Sequence, residues 1–280
     1  LIQNISPKRM DVDFKNRVPN GKDYVIVIED SNVLIKKFED ETIGFLEIEE
    51  LQECVKNIET KLMYLFAVDD AHYYLYTGKD KIMPNNKNCL INKRDLFANY
   101  NEEYGFIGLT ASHINEWFLS NQYCGKCGQN MKADTEQRSM ICTVCDLVKY
   151  PRLDPVVIVG IHDGDKILLT RAANSDYTRY ALVAGFVEVG EALEDAVRRE
   201  VMEEVGLKVK NITYYGSQPW GLTGGLLAGY FAELDGDSTV KLDLEELSEG
   251  TWFTKETMPE VYENEKSLTR TMMYDWYSRQ

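Results

Sequence analysis

The sequence predicts an α+β protein in three parts: an N-terminal α+β domain over residues 1–119, a small four-cysteine ribbon over 120–150, and a C-terminal domain over 151–280 with a mixed sheet and helices outside it. Three observations carry this reading. Short apolar runs separated by polar turns fill the first part. Two close cysteine pairs follow, and beyond them strand patterns alternate with one strongly patterned helix. At 280 residues and 44% hydrophobic, the chain has the length and composition of a folded protein of about two domains.

In the first part, Tyr24 to Glu29, Val33 to Lys36 and Leu62 to Val68 read as strands, and Ala111 to Leu119 as a helix leading into the first cysteine pair. No catalytic signature stands out here. The longest uninterrupted apolar run, Leu62 to Val68, is far below the roughly 18–20 residues that span a bilayer. No basic-then-apolar leader opens the chain, so a cytoplasmic protein with no membrane partner is expected. The formal charge is −15, from 31 Lys and Arg against 46 Asp and Glu, with no basic block. Binding along a nucleic-acid backbone is therefore disfavoured, and an anionic small substrate needs metal cations between it and the carboxylates.

Cys124-Gly-Lys-Cys127 and Cys142-Thr-Val-Cys145 are separated by fourteen residues, a C-x2-C-x14-C-x2-C spacing. Two such knuckles present four soft thiolates in a tetrahedron, the ligand set that selects zinc, and with all four positions filled by protein the site is structural. A redox pair needs only one such motif in a thioredoxin-like setting, and disulfides fit poorly with a leaderless chain. Cys54 and Cys89 stand alone and are each expected to be small buried hydrophobes.

In the last part, Val156 to Ile161 and Lys166 to Leu169 flank a turn containing Asp163-Gly164, and Ala181 to Val187 reads as another strand. Leu226 to Glu233 and Val240 to Leu242 flank a second Asp-Gly turn at Asp235-Gly236, and Leu268 to Tyr277 closes the chain as a helix. Leu193 to Val205 has helical spacing, with Gly206 just past its end, where the chain must turn through a left-handed conformation. This helix carries unusual chemistry. Residues 185–207 hold seven acids against Arg198 and Arg199, and Glu200, Glu203 and Glu204 share one face. Glu200 and Glu204 continue the apolar stripe of Leu193 and Val197, where a solvated acidic face would oppose it. Oxygen ligands converging in a partly buried cleft favour magnesium or manganese. His72, His113 and His162 lie in separate segments, and none adjoins a motif.

Gly185, Glu191 and Arg199-Glu200-Val201-Met202-Glu203-Glu204-Val205-Gly206-Leu207 match every fixed position of G-x5-E-x7-R-E-U-x-E-E-x-G-U, with U aliphatic. This stretch resembles the Nudix box. The resemblance implies an α/β/α sandwich and hydrolysis of a nucleoside diphosphate linked to another group. With the cysteine ribbon, Tyr150-Pro151-Arg152, Leu182 to Glu188 and Ser217-Gln218-Pro219-Trp220, residues 111–280 resemble the NADH pyrophosphatase (NAD-capped RNA hydrolase) branch of that family.

What the branch implies is metal-dependent cleavage of NADH or NAD to AMP and nicotinamide mononucleotide, with removal of NAD caps from RNA 5′ ends as a compatible extension, in a homodimer. Glu200, Glu204 and the Ala184 carbonyl would hold magnesium or manganese. Glu203 would join them and polarise the attacking water, and Glu249 matches the distal metal-binding glutamate. Arg199 and Glu191 would orient the helix. Phe186, Tyr150, Gln218, Pro219 and Trp220 match the nicotinamide- or base-contacting segment. Two departures stand out: Gly221 to Gly225 replaces a Pro-Phe-Pro continuation that ends in Ser, and Gln137 replaces an acid. The first bears on substrate preference and keeps ADP-ribose as an alternative substrate. A zinc-ribbon binding protein with a retired hydrolase fold is a third reading, but such a protein would be expected to lose box carboxylates, and this box has lost none.

Overall fold

The computed structural model describes all residues except 53, 174–178, 260, 264 and 280. The chain divides into two compact units, one made of residues 3–152 with 221–223, the other of residues 1–2, 153–220 and 224–280.

In the first unit, Leu62–Val68 and Ala71–Tyr76 form a hairpin at the centre of a five-stranded sheet, and Asn32–Lys37 pairs with Asn88–Asn92 in a second, four-stranded sheet. The helix predicted from Ala111 begins earlier and spans Glu102–Ser120. Asn101 caps it by accepting from the Tyr104 amide, which satisfies one of the free amides at a helix start. Its Ile107, Ala111, Ile114 and Trp117 enter a core that also holds Cys124, Met131, Met140 and Cys142 of the ribbon. The ribbon's own sheet, Met131–Ala133, Met140–Cys142 and Val148–Lys149, is too small to bury a core alone. Cys54 departs from expectation: it is exposed, and Cys89 is half-buried. Cys54 follows the short helix Ile48–Gln52, where Leu51 and Val55 take the inward positions.

The second unit is a six-stranded mixed sheet with a helix on each face. Its strands are β1 (Asp154–Asp163), β2 (Lys166–Ala172), β3 (Val183–Phe186), β4 (Val209–Trp220), β5 (Gly225–Leu234) and β6 (Leu247–Phe253). The order is β4-β5-β1-β2-β6, with β3 also paired to β1. β1 and β5 run parallel, and the other pairings are antiparallel. Helix α1 (Leu193–Val205) packs Ala196, Val197, Val201 and Val205 on Val157, Val159 and Ile161. Helix α2 (Leu268–Arg279) packs Leu268, Met272, Met273 and Trp276 on Ile158, Ile167 and Leu169. Side chains of β1 thus alternate between the two helices, as the period of a strand buried on both faces requires. This is the expected α/β/α sandwich.

One expected strand is absent. Residues 240–242 are not paired into the sheet, because the chain is used to close the end of α1. The Lys241 amide donates to the Val205 carbonyl at 2.9 Å and the Asp243 amide to the Glu204 carbonyl at 3.0 Å, satisfying acceptors that a helix C-terminus leaves free. Gly206 is left-handed at φ 68°, and a Cβ there would lie 2.8 Å from that of Lys241. Among the described residues, no helix is long and apolar enough to cross a membrane.

Candidate functional site

The site is built where β3 runs through a tight turn into α1. Gly190 turns the chain at φ 92°, and the Glu191 carboxylate accepts from the Glu188 amide at 3.1 Å. Arg199 ties this turn to the helix. Its Nε and Nη2 grip the two oxygens of Glu191 at 2.9 and 2.8 Å, Nη2 also donates to the Phe186 carbonyl at 2.9 Å, and Nη1 reaches Glu200 and Glu203 at 2.8 and 2.9 Å. The hydrogen bonds from Arg199 hold Glu191 below the usual carboxylate range. Bidentate guanidinium–carboxylate pairing fixes geometry as well as charge.

Glu200 and Glu204, one turn apart, are buried on the sheet side of α1, while Glu203 is exposed. Gly185 makes room for this: a Cβ there would lie 2.0–2.2 Å from the carboxyl atoms of Glu200. Burial pushes the Glu200 carboxyl upward, against the pull of Arg199. Burial pushes Glu204 further, to about 8, and the nearby charges of Glu200 and Glu246 add to the rise, against a backbone hydrogen bond at Ala184. Two coupled carboxylates with too few cations are unstable as a pair of anions, and a bound divalent ion would relieve both. The carboxylate oxygens of this pair therefore suit a hard divalent ion. Glu246 joins this electrostatic cluster although sequence reasoning missed it, because Asp243-Leu244-Glu245-Glu246 reads as a solvated acidic turn.

The remaining candidates are dispersed over the fold. Glu249, on β6, is held by Arg171 Nη1 at 3.1 Å and by the Tyr180 hydroxyl. Phe186 is largely exposed at the end of β3. Pro219 and Trp220 end the edge strand β4, a place in a sheet where proline is tolerated. Gln218 is fully buried, and its amide serves the fold: Nε2 donates to the Lys266 carbonyl at 2.9 Å, and Oε1 accepts from the Leu268 amide at 2.5 Å, pinning the start of α2. Tyr150 lies in the other unit, exposed, and donates to Gln137 at 3.2 Å.

The four thiols of Cys124, Cys127, Cys142 and Cys145 lie within 4.8 Å of one another, the one such gathering of potential ligands among the described residues. Sγ separations of 3.6 Å for Cys124–Cys145 and 3.5 Å for Cys127–Cys142 are too long for disulfides. They are close to the ~3.8 Å edge of a tetrahedron with Zn–S bonds of about 2.3 Å. The Cys145 and Val144 amides donate to Cys142 Sγ and bring that thiol down to about 6. Cys124 is lowered as well, whereas hydrogen bonds among the crowded thiols push Cys127 and Cys145 up, so two of the four are prepared as thiolates for a metal.

Residues 151–273 match the model of the NUDIX domain. Over 149 residues the chain is 41% identical to a protein of Pseudomonas aeruginosa (strain LESB58) named NAD-capped RNA hydrolase NudC, with 53% of each covered. It is 42% identical over 146 residues to the protein of the same name from Escherichia coli O9:H4 (strain HS), a match covering 52% of this chain and 56% of that one. The matched region thus spans about half the length of these curated relatives. The crystal structure of a NUDIX hydrolase from Nitrosomonas europaea aligns with a TM-score of 0.44 at 23% identity, covering 49% of this chain and 80% of that one.

Proposed function

We propose that this protein is a divalent-metal-dependent diphosphatase of NADH or NAD that releases AMP and nicotinamide mononucleotide. The buried, mutually repelling pair Glu200 and Glu204 within a complete box carries the reading, and the names of the relatives point to the dinucleotide. Glu200 and Glu204, with Glu203, the Ala184 carbonyl and Glu249, would hold magnesium or manganese. Such ions neutralise pyrophosphate oxygens and lower the pKa of a bound water. Glu203, exposed and paired with Arg199, would accept a proton from the attacking water. Exposed Phe186 and the Pro219-Trp220 segment offer stacking surfaces for a base or nicotinamide, with Gln218 as their anchor. Zinc in the four-thiol site, a homodimer, a cytoplasmic location and activity on the NAD-capped 5′ end of RNA belong to the same proposal.

Incubation with NADH, NAD and ADP-ribose, with and without magnesium or manganese, tests it. Metal-dependent AMP and nicotinamide mononucleotide are expected, and no turnover of NADH or NAD would sink the reading. Turnover of ADP-ribose alone would support a sister activity. The Gly221 to Gly225 stretch, a turn closed by the Gly224 amide on the Trp220 carbonyl with Gly224 at φ 79°, would favour that alternative if it reshapes the pocket.

Gly185→Ala is a second check. The added methyl collides with the Glu200 carboxyl, the far end of a flexible side chain that can swing away by releasing Arg199. Turnover should fall at least about tenfold while stability drops by only about 1 kcal/mol, inside the usual range for a single substitution. Equal turnover by variant and wild type would show that the Glu200 position is irrelevant to the chemistry.

A further inference from the structure

We infer that Arg171 and Tyr180 form a latch on Glu249 that a divalent ion must displace, so that these two side chains set the metal affinity of the site. The inference rests on the proposed metal-dependent reading and adds a control to it. Arg171 on β2 is the direct cross-strand partner of Glu249 on β6, and its Nη1 lies 3.1 Å from Glu249 Oε2. The other oxygen, Oε1, accepts from the Tyr180 hydroxyl and, at 3.4 Å, from the Thr251 hydroxyl. Both oxygens of the carboxylate are therefore engaged within the protein.

The latch is assembled by the fold. Thr170 and Ala181 exchange backbone hydrogen bonds at 2.9 and 2.8 Å, and Arg171 and Tyr180 are the residues next to that bridge. The Arg171 guanidinium carbon lies 4.3 Å from the Tyr180 ring centroid, a cation–π stack that holds the arginine flat beside the carboxylate. On β6 the strand is irregular just before Glu249. The register slips between Arg171 and Ala172, and the Ser248 hydroxyl donates to both of their carbonyls at 3.2 Å. A bulge of this kind re-aims the side chain that follows it.

The same strands also adjoin the box carboxylates. The Asp243 amide donates to the Glu204 carbonyl at 3.0 Å and the Leu247 amide to the Asp243 carbonyl at 2.8 Å, so the strand that carries Glu249 starts from the end of α1. A cation recruiting Glu249 must break an ion pair that is more than a third exposed on both sides, release one phenol hydrogen bond, and approach a guanidinium of like charge. Each of these weakens binding modestly, as partly exposed pairs do.

The test is manganese binding to the zinc-loaded protein, followed by the free-ion electron paramagnetic resonance signal, with melting temperature as the check on folding. Arg171→Met should lower the Kd for manganese about three- to tenfold, and Tyr180→Phe about twofold. Glu249→Gln should raise it, and Arg171→Met should bring no gain in the Glu249→Gln background. Unchanged or weaker binding by both Arg171→Met and Tyr180→Phe would overturn the latch. A gain that persists without Glu249 would overturn it too, leaving only a general charge effect. Wild-type protein that binds no manganese through Glu204 would overturn the metal reading itself, and the latch with it.

Discussion

Replacing Glu204 by Gln should abolish most turnover, on the order of a thousandfold in kcat, while making the protein more stable in buffer free of magnesium and manganese. The two effects share one cause. Glu204 is 4% exposed, its carboxyl is pushed to about 8 by burial and by Glu200 and Glu246, and an unfolded chain would titrate it near 4.5. Between these values the folded state holds a proton that the unfolded state has released. Stability from this group is thus fully present below about 4.5 and is lost as pH rises toward 8. Each tenfold difference in proton affinity is worth about 1.4 kcal/mol, so the loss across this window is on the order of 5 kcal/mol.

Glutamine is neutral throughout, so the variant's melting temperature should fall less than that of wild type between pH 5.5 and 8.5. The same exchange removes the negative oxygen that a divalent ion would need, so magnesium should raise the melting temperature of wild type at pH 8 and leave the variant almost unmoved. Parallel melting curves for the two proteins would mean that Glu204 is solvated and ordinary. An active variant would remove it from the metal site.

The part of this site confined to α1 and its flanking turns was legible because its chemistry is local. Gly185, Glu200, Glu204 and Gly206 lie within 22 consecutive residues, and helical spacing alone puts the carboxylates on the apolar stripe. What sequence did not disclose depends on pairings between distant segments. Gln218 lies in a motif that reads as substrate-facing, yet its partners are Lys266 and Leu268, 48 and 50 residues on. Arg171 meets Glu249 only because β2 pairs with β6. Pro219 and Gly216 hid β4, since a proline is tolerated in a strand only where its edge is free. Residues 240–242 have the apolar alternation of a strand, but the Lys241 amide and that of the following Asp243 serve the carbonyls at the end of α1, an acceptor set that periodicity does not reveal.

In the other unit, Cys124→Ser should lower zinc content from one ion per chain to nearly none and destabilise that unit by at least about 4 kcal/mol, because metal binding and folding are the same free energy in a site of this kind. Cys124 and Cys142 are 3% and 1% exposed, and both sit in the core shared with Ile114, Trp117, Met131 and Met140. Losing the metal would leave three thiols converging at mutual distances of a few ångströms with no cation among them, next to a new buried hydroxyl. Cys127→Ser separates packing from ligation, since Cys127 is exposed and touches little of that core. It should lose zinc to the same extent but cost less stability than Cys124→Ser. Metal analysis with thermal denaturation of the two variants decides the matter. Full zinc occupancy with an unchanged melting temperature in Cys124→Ser would mean that the gathered thiols are not the metal site. Equal destabilisation by both variants would assign the whole cost to the lost ion, with the ribbon held in place by its metal and not by the side chains it buries.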